Sequence, residues 1–388
     1  MGNRVSGSNN VAIGADALYT SKGSTYNIAI GPFAGYNITT GGSNIFIGNG
    51  AGKANQTQGQ AIAIGYEAMG GNTGTQEASG IAIGFRAMFE VKDGSQGVAV
   101  GNSALNHLVG QYTVGIGNEA GRYATGSFNT FVGFSAGRGA TSAPYGSGDY
   151  NTAMGYNAHY AFTTGKQNVA IGWEAAKSLT TGYYSTFLGV RAGRSVTTGN
   201  TNTFIGWQSG YAVTDTSNKI AIGYRAGYAD GGDMDVFIGY EAGLNVTAGD
   251  NIGIGRSAGR GFHGVGQTEF QSNTTNRYNV SIGSFAGNRV IGVANVHIGY
   301  KAGMEASGSN NTFMGYEAGK GGTTSAPFSS GQNNTAIGYE ALKGFTTGHS
   351  NVGVGMQSLR VATTGYENTA LGIYSLYDLN TGAQNTAV

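Results

Sequence analysis

A short phrase recurs along the whole chain: a β-branched residue, a small or aromatic residue, Ile or a close relative, then Gly. Examples are Val11-Ala12-Ile13-Gly14, Val169-Ala170-Ile171-Gly172 and Thr335-Ala336-Ile337-Gly338. The phrase occurs 21 times, and sixteen of the twenty spacings between its glycines are 16 or 17 residues. A unit that short cannot enclose a core alone, so it must be one coil of a stacked solenoid. No composition shift, charge block or Pro-rich linker interrupts the series. Residues 1–388 therefore read as one continuous all-β solenoid, with flank insertions at about 138–150, 260–278 and 320–333.

Numbering each coil from its phrase glycine as zero exposes finer rules. Position −3 is Val, Ile or Thr in all 21 coils and position −1 is Ile, Val, Leu or Met. Alternation puts these two on one face of a short strand, and that face reads as the core of the coil. The expected core residues are thus Ile13, Ile30, Ile47, Ile64, Ile171, Ile205, Ile222 and Ile337. On this reading Ile171→Asp breaks the array and Glu174→Ala is silent. Position +3 is Ala in eighteen coils and Ser in three, which implies a tight place. Position −4 is usually Asn, and stacked coils would join these side chains in an amide ladder. Thr-Thr-Gly at +8 to +10 predicts a turn closed by a glycine of positive φ, with two turns and two short strands completing a coil.

Positions −2 and +4 exclude each other's bulk. Phe stands at −2 in six coils, and in all six the +4 residue is Gly. Where +4 is large, as at Leu18, Met69, His159 or Leu342, −2 is Ala or Gly. The two positions therefore share one volume. Placed opposite the −1/−3 face, and joined by aromatic residues at +1, they predict an apolar stripe too large for a lone chain to expose. It is expected to be buried between copies, through Phe46, Phe131, Trp173, Phe187, Phe204, Trp207, Phe237 and Phe313.

These residues resemble known repeats. Asn-Thr/Val-Ala-Ile-Gly followed by x-x-Ala is similar to the head repeat of YadA-type trimeric autotransporter adhesins. The longer form, from Asn334 to Leu342 with Thr346-Thr347-Gly348 following, is closer still to repeats of phage tail-fibre proteins. The resemblance implies a left-handed parallel β-roll, three of which associate side by side as a homotrimer in an extracellular fibre, on a virion tail or a bacterial surface. Twenty-one coils at the inter-strand spacing of roughly 4.8 Å would extend on the order of 100 Å. The chain ends within a phrase, which suggests a segment of a longer fibre.

Composition narrows the functional classes. Charged residues are only 11% of the chain and the net charge is +1, so no nucleic-acid surface is expected. There is no cysteine, and no apolar run has the length of a membrane span. No signal peptide is read at the amino terminus, and no membrane insertion is expected. Two Gly-x-Ser-x-Gly matches, at Ser135 and Ser257, fall at +2 of the repeat and have no triad partners placed for them, so no catalysis, cofactor or metal is expected. Asp230, Asp233 and Asp235 read as a solvated turn, because their spacing fits no calcium loop.

The expected function is a structural fibre shaft with adhesive capacity, part of a phage tail fibre that mediates or presents attachment to a host. The alternatives are the head of a bacterial trimeric surface adhesin and, more remotely, an ice-binding protein or a polysaccharide depolymerase. A cell-surface glycan or protein receptor would meet the insertions, where Tyr145, Asp149, Phe262, His263, Glu269, Phe270, Arg277, Tyr278 and Phe328 supply aromatic and charged groups. Residues 151–190 match 334–373 in register and turn sequence, the mark of an internal duplication.

Overall fold

The computed structural model describes residues 7–57, 59–71, 79–90, 96–142, 145–229, 231–246, 248–261, 276–322 and 329–388. The chain divides into two compact units, residues 1–200 and 201–388. Each is an all-β parallel solenoid, and no helix occurs among the described residues. The first unit carries strands β1 (Val11–Ile13) to β11 (Thr186–Leu188), the second β12 (Thr203–Ile205) to β22 (Thr386–Ala387). Successive strands within a unit pair in parallel, phrase on phrase: Val11, Ala12 and Ile13 sit beside Ile28, Ala29 and Ile30, and Thr203, Phe204 and Ile205 beside Ile220, Ala221 and Ile222.

A coil has one strand of about three residues, not two. Elsewhere the described residues form only isolated bridges, such as Ala124 with Gly146 and Ala306 with Ser329. The reason lies in the backbone after the phrase. Residues at +2 and +4 adopt left-handed φ, as at Asp16 (56°) and Leu18 (51°), or Glu340 (52°) and Leu342 (51°), which no strand accommodates. Glycine meets that demand at +4 without strain, which explains its frequency there.

The phrase glycine is fixed by a second constraint. Gly14 has φ +127°, and a Cβ on it would lie 2.6 Å from the carbonyl carbon of Gly31 in the next coil. The glycines of the Thr-Thr-Gly turns depart from expectation. Gly165 and Gly348 do not have left-handed φ, and a Cβ on either would meet the carbonyl oxygen of the stacked glycine at 2.6 Å. Close stacking, not chain reversal through positive φ, selects glycine there.

The facing of the strand is the reverse of the sequence expectation. All six −2 phenylalanines, Phe46, Phe131, Phe187, Phe204, Phe237 and Phe313, are at most 1% exposed within their own chain. With Ala at +3, the side chain at +4 and apolar groups at +7 such as Phe162 and Phe345, they fill the coil interior. Ile13, Ile30 and Ile337 are 58%, 36% and 38% exposed, and Ile47, Ile64, Ile171, Ile205 and Ile222 are half-buried on the outer face. The eight isoleucines are thus not the coil core, and the six phenylalanines are not available to a partner. Shared volume at −2 and +4 survives: a Cβ on Gly137 would overlap the Phe131 ring of its own coil, and one on Gly52 the Phe46 ring. A coil this narrow has room for one layer of side chains, and the +3 and +4 residues face the −2 side.

The amide ladder forms as expected. Asn44 Nδ2 donates to Asn27 Oδ1 at 3.0 Å, and Asn351 Nδ2 to Asn334 Oδ1 at 3.1 Å. Each amide also donates to a carbonyl of the turn, as Asn168 does to Gly182 at 2.8 Å. The acceptor oxygen takes the next coil's backbone N–H, so the buried amides are satisfied where asparagines follow one another; Ala61, Gly80 and Gly97 interrupt the column in the first unit. In the second unit two rungs are replaced by Lys219 and Asp235, both fully buried, with Nζ and Oδ2 3.7 Å apart. Asp235 is therefore a core ion-pair partner and not part of a solvated turn. Asp230 lies outside the described residues.

Candidate functional site

Three surfaces arise from the repeat. The first is the outer strand face. Its −3 and −1 columns expose apolar side chains coil after coil, including Val11 (45%), Ile116 (41%), Met154 (41%) and Leu188 (42%) in the first unit and Ile220, Ile252 and Leu371 in the second. At the edge of this face the +1 aromatics stack along the solenoid. Phe134 and Tyr156 have ring centroids 5.3 Å apart, Trp207 and Tyr224 4.8 Å, and Tyr316 and Tyr339 5.1 Å. Trp173 and Trp207 are 40% and 41% exposed, so of the expected intersubunit residues these two remain on a free surface.

The second surface is a charged comb at +2 and +5. Glu174 is only 6% exposed and is held by Lys177 (2.7 Å), Arg191 (3.2 Å) and Arg194 (2.8 Å). Burial alone would raise its carboxyl, but hydrogen bonds and charge from Lys177 and Arg194 outweigh that and hold the pKa down to about 2. Glu340 repeats the pattern with Lys343, Arg360 and Gln357, again with a pKa of about 2. A silent Glu174→Ala is therefore no longer expected. Around Glu174 and Glu340 the carboxylate is met by cations of its own and the next coil, so these clusters fasten coils together more than they present charge.

The third surface is a notch in the first unit, a concavity of about 460 Å³ lined by Gly71, Phe89, Glu90, His107, Val109, Thr125 and Tyr145. The +6 residues of successive coils, Glu90 and His107, run down one wall, and Tyr145 from the insertion lines it as well. His107 Nε2 lies 3.0 Å from Glu90 Oε2, and Nδ1 lies 3.3 Å from the Arg122 carbonyl oxygen, so the ring orientation is fixed. Tyr145 stacks at 5.9 Å on His107 and at 6.1 Å on Tyr123.

The expected receptor contacts divide accordingly. Tyr145 is exposed and lines the notch. Asp149 is spent on structure, its Oδ1 accepting the Ser127 N–H at 2.6 Å. Arg277 is exposed beside Asp250 at 3.7 Å, and Tyr278 is 59% exposed. Phe262, His263, Glu269, Phe270 and Phe328 lie outside the described residues. Sequence reasoning missed Phe89, Glu90 and His107 because the histidines look scattered in the chain. The available signal was position: His107 and Tyr123 occupy the same +6 place in consecutive coils.

Other motifs resolve structurally. Ser135 and Ser257 are each 2% exposed. His159 and His297 are fully buried in the +4 and −2 places, with their pKa pushed down to about 3 by burial. The hydroxyls of Thr163 and Thr180 donate to carbonyls one coil on, which stitches the Thr-Thr-Gly turns together. Among the described residues no cluster of metal-ligating side chains forms, and no helix is long and apolar enough to cross a membrane. No family model matches the chain, and no curated protein is similar to it.

Proposed function

We propose that this protein is a structural fibre shaft with adhesive capacity, part of a phage tail fibre, in which three copies of a left-handed β-roll lie side by side. The observation that carries this reading is the outer strand face. It carries Val, Ile or Thr at −3 and an apolar residue at −1 on coil after coil, is flanked by stacked aromatics, and is free of ionised groups at those positions. A patch of that extent needs a cover. Its features repeat at every rung, so a matching surface must carry the same rung spacing, and a second copy of the chain supplies it. Self-association through −3, −1 and +1 replaces the −2/+4 contact expected from sequence. An attachment role places the insertions on the outside of such an assembly, where a host surface is met. Light scattering tests the reading: a particle of three chains of 39.6 kDa is expected, and a stable 39.6 kDa monomer would overturn it. Antibody to the chain should label virion tails; label on a bacterial envelope would instead favour a surface adhesin.

A further inference from the structure

The notch in the first unit has a composition that selects its ligand. Its walls alternate apolar and hydrogen-bonding groups: Phe89, Val109 and Tyr145 against Glu90, His107 and Thr125. The volume of about 460 Å³ falls within the range of small-molecule sites, roughly 300–1,000 Å³. The Glu90 side chain is 53% exposed, and among the described residues His107 engages its Oε2 alone, so the carboxylate can accept further hydrogen bonds.

Charge decides what the ligand is not. Arg86 pairs with Glu67 at 2.7 Å and lies over the Phe89 ring at 4.9 Å. Arg122 and Arg138 both pair with Glu119 and lie over Tyr123 at 5.1 and 5.0 Å. The Phe89 and Tyr123 faces are therefore already taken by guanidinium groups, and Tyr145 is left as the open aromatic face of the notch. An anion would meet the Glu90 carboxylate, and among the described residues the neighbouring arginines Arg86, Arg122 and Arg138 are already paired with Glu67 and Glu119. The site is matched to an uncharged molecule having both apolar C–H faces and a rim of hydroxyls, which is the chemistry of a sugar ring.

We infer that this notch binds a neutral pyranose unit of a carbohydrate, its C–H face against Tyr145 and its hydroxyls on Glu90, which His107 holds in place, and Thr125. The inference deepens the attachment role proposed above and rests on it only for its biological setting.

A glycan array carrying neutral hexose and N-acetylhexosamine oligosaccharides beside sialylated and sulfated ones tests it, with titration calorimetry on the best-bound glycan. Binding to neutral glycans is expected. Glu90→Gln and Tyr145→Ala should each weaken it at least tenfold, while Tyr184→Ala, at an exposed aromatic in the same unit, should leave it unchanged. Circular dichroism guards against a folding defect, and the near-isosteric Glu90→Gln keeps the test alive if Tyr145→Ala unfolds. Failure to bind any neutral glycan, a preference for anionic ones, or unchanged binding in both notch variants would overturn the site. Light scattering on the same sample separates the two proposals. A trimer without glycan binding rejects the notch alone, and a monomer that binds rejects the shaft alone.

Discussion

Residues 151–190 and 334–373 are two copies of one segment in different units, and their differences show what the coil tolerates inside. Both place Ala at −2 (Ala153, Ala336), Ala at +3 (Ala158, Ala341) and Phe at +7 (Phe162, Phe345), all fully buried. At +4 one has His159 and the other Leu342, each 0% exposed in the same left-handed backbone. The histidine ring lies tilted against Phe162 with centroids 5.0 Å apart, and neither of its ring nitrogens has a hydrogen-bond partner. The interior thus requires volume and accepts a polar ring only in its uncharged form. Outside, the copies diverge freely: Asn157 stands opposite Glu340 in register, and Glu174 opposite Gln357. The comb is rebuilt one coil apart, with a carboxylate of pKa about 2 at its centre in each.

The most damaging way to break this likeness is a charge at −2. Ala153→Asp and Ala336→Asp should each destabilise their own unit by about 3 kcal/mol or more, since the carboxylate enters a dry single-layer core. Thermal melts followed by circular dichroism should show matching losses. A silent substitution in either copy would mean that the −2 face had been wrongly placed inside.

Exchanging the +4 residues sharpens the comparison. Leu342→His should cost about 2–4 kcal/mol at neutral pH, through lost apolar contact and two unpaired ring nitrogens. His159→Leu should stabilise the first unit and flatten its acid response. The sign follows from burial. Above the unfolded pKa of about 6.5, His159 is neutral in both states and contributes no pH dependence. Below it the unfolded chain takes a proton that the folded core refuses down to about 3, so stability falls by up to about 1.4 kcal/mol per pH unit over that window. Denaturant titrations at pH 7 and pH 4.5 should show a smaller loss in His159→Leu than in the parent. Equal losses would place the acid sensitivity elsewhere.

The comb should give the smallest effects. Glu174→Ala strands three cations that met one nearly buried carboxylate, and about 1–3 kcal/mol of stability should go with it. Gln357→Ala, at the matching place, removes one 2.7 Å hydrogen bond to Glu340 and should cost under about 1 kcal/mol. The Glu174 contribution is present above the unfolded carboxyl pKa of about 4.3 and disappears as pH falls toward 2. A Glu174→Ala melt that equals the parent at pH 7 would remove the comb from the account.

Much of this architecture is written in the repeat. Period, parallel stacking, strand position and the amide ladder all follow from spacing and residue type, because each rung repeats the same local physics. Which strand face lies inside does not follow from alternation, which says only that −1 and −3 share a side. The regular β-branched column at −3 and apolar column at −1 invite the inward reading, but regularity equally suits a surface that must match another copy. The informative signal was complementarity: Phe131 at −2 and Gly137 at +4 trade volume, and trading volume is the behaviour of groups packed against each other. The notch was hidden for a different reason. Glu90, His107 and Tyr145 are separated by 17 and 38 residues in the chain, and only coil numbering plus an insertion of known path brings them to one wall.

The facing of the strands is the centre of the account, and the mass of Ile337→Asp and Ile171→Asp chains by light scattering tests it most directly. With −1 on the outer face, each variant should keep the parent's circular dichroism while its particle shifts from a multiple of 39.6 kDa toward the single-chain mass. If instead both variants lose β-structure as Ala336→Asp does, or if the parent itself already runs at 39.6 kDa, the outer face is not where copies meet and the account is contradicted.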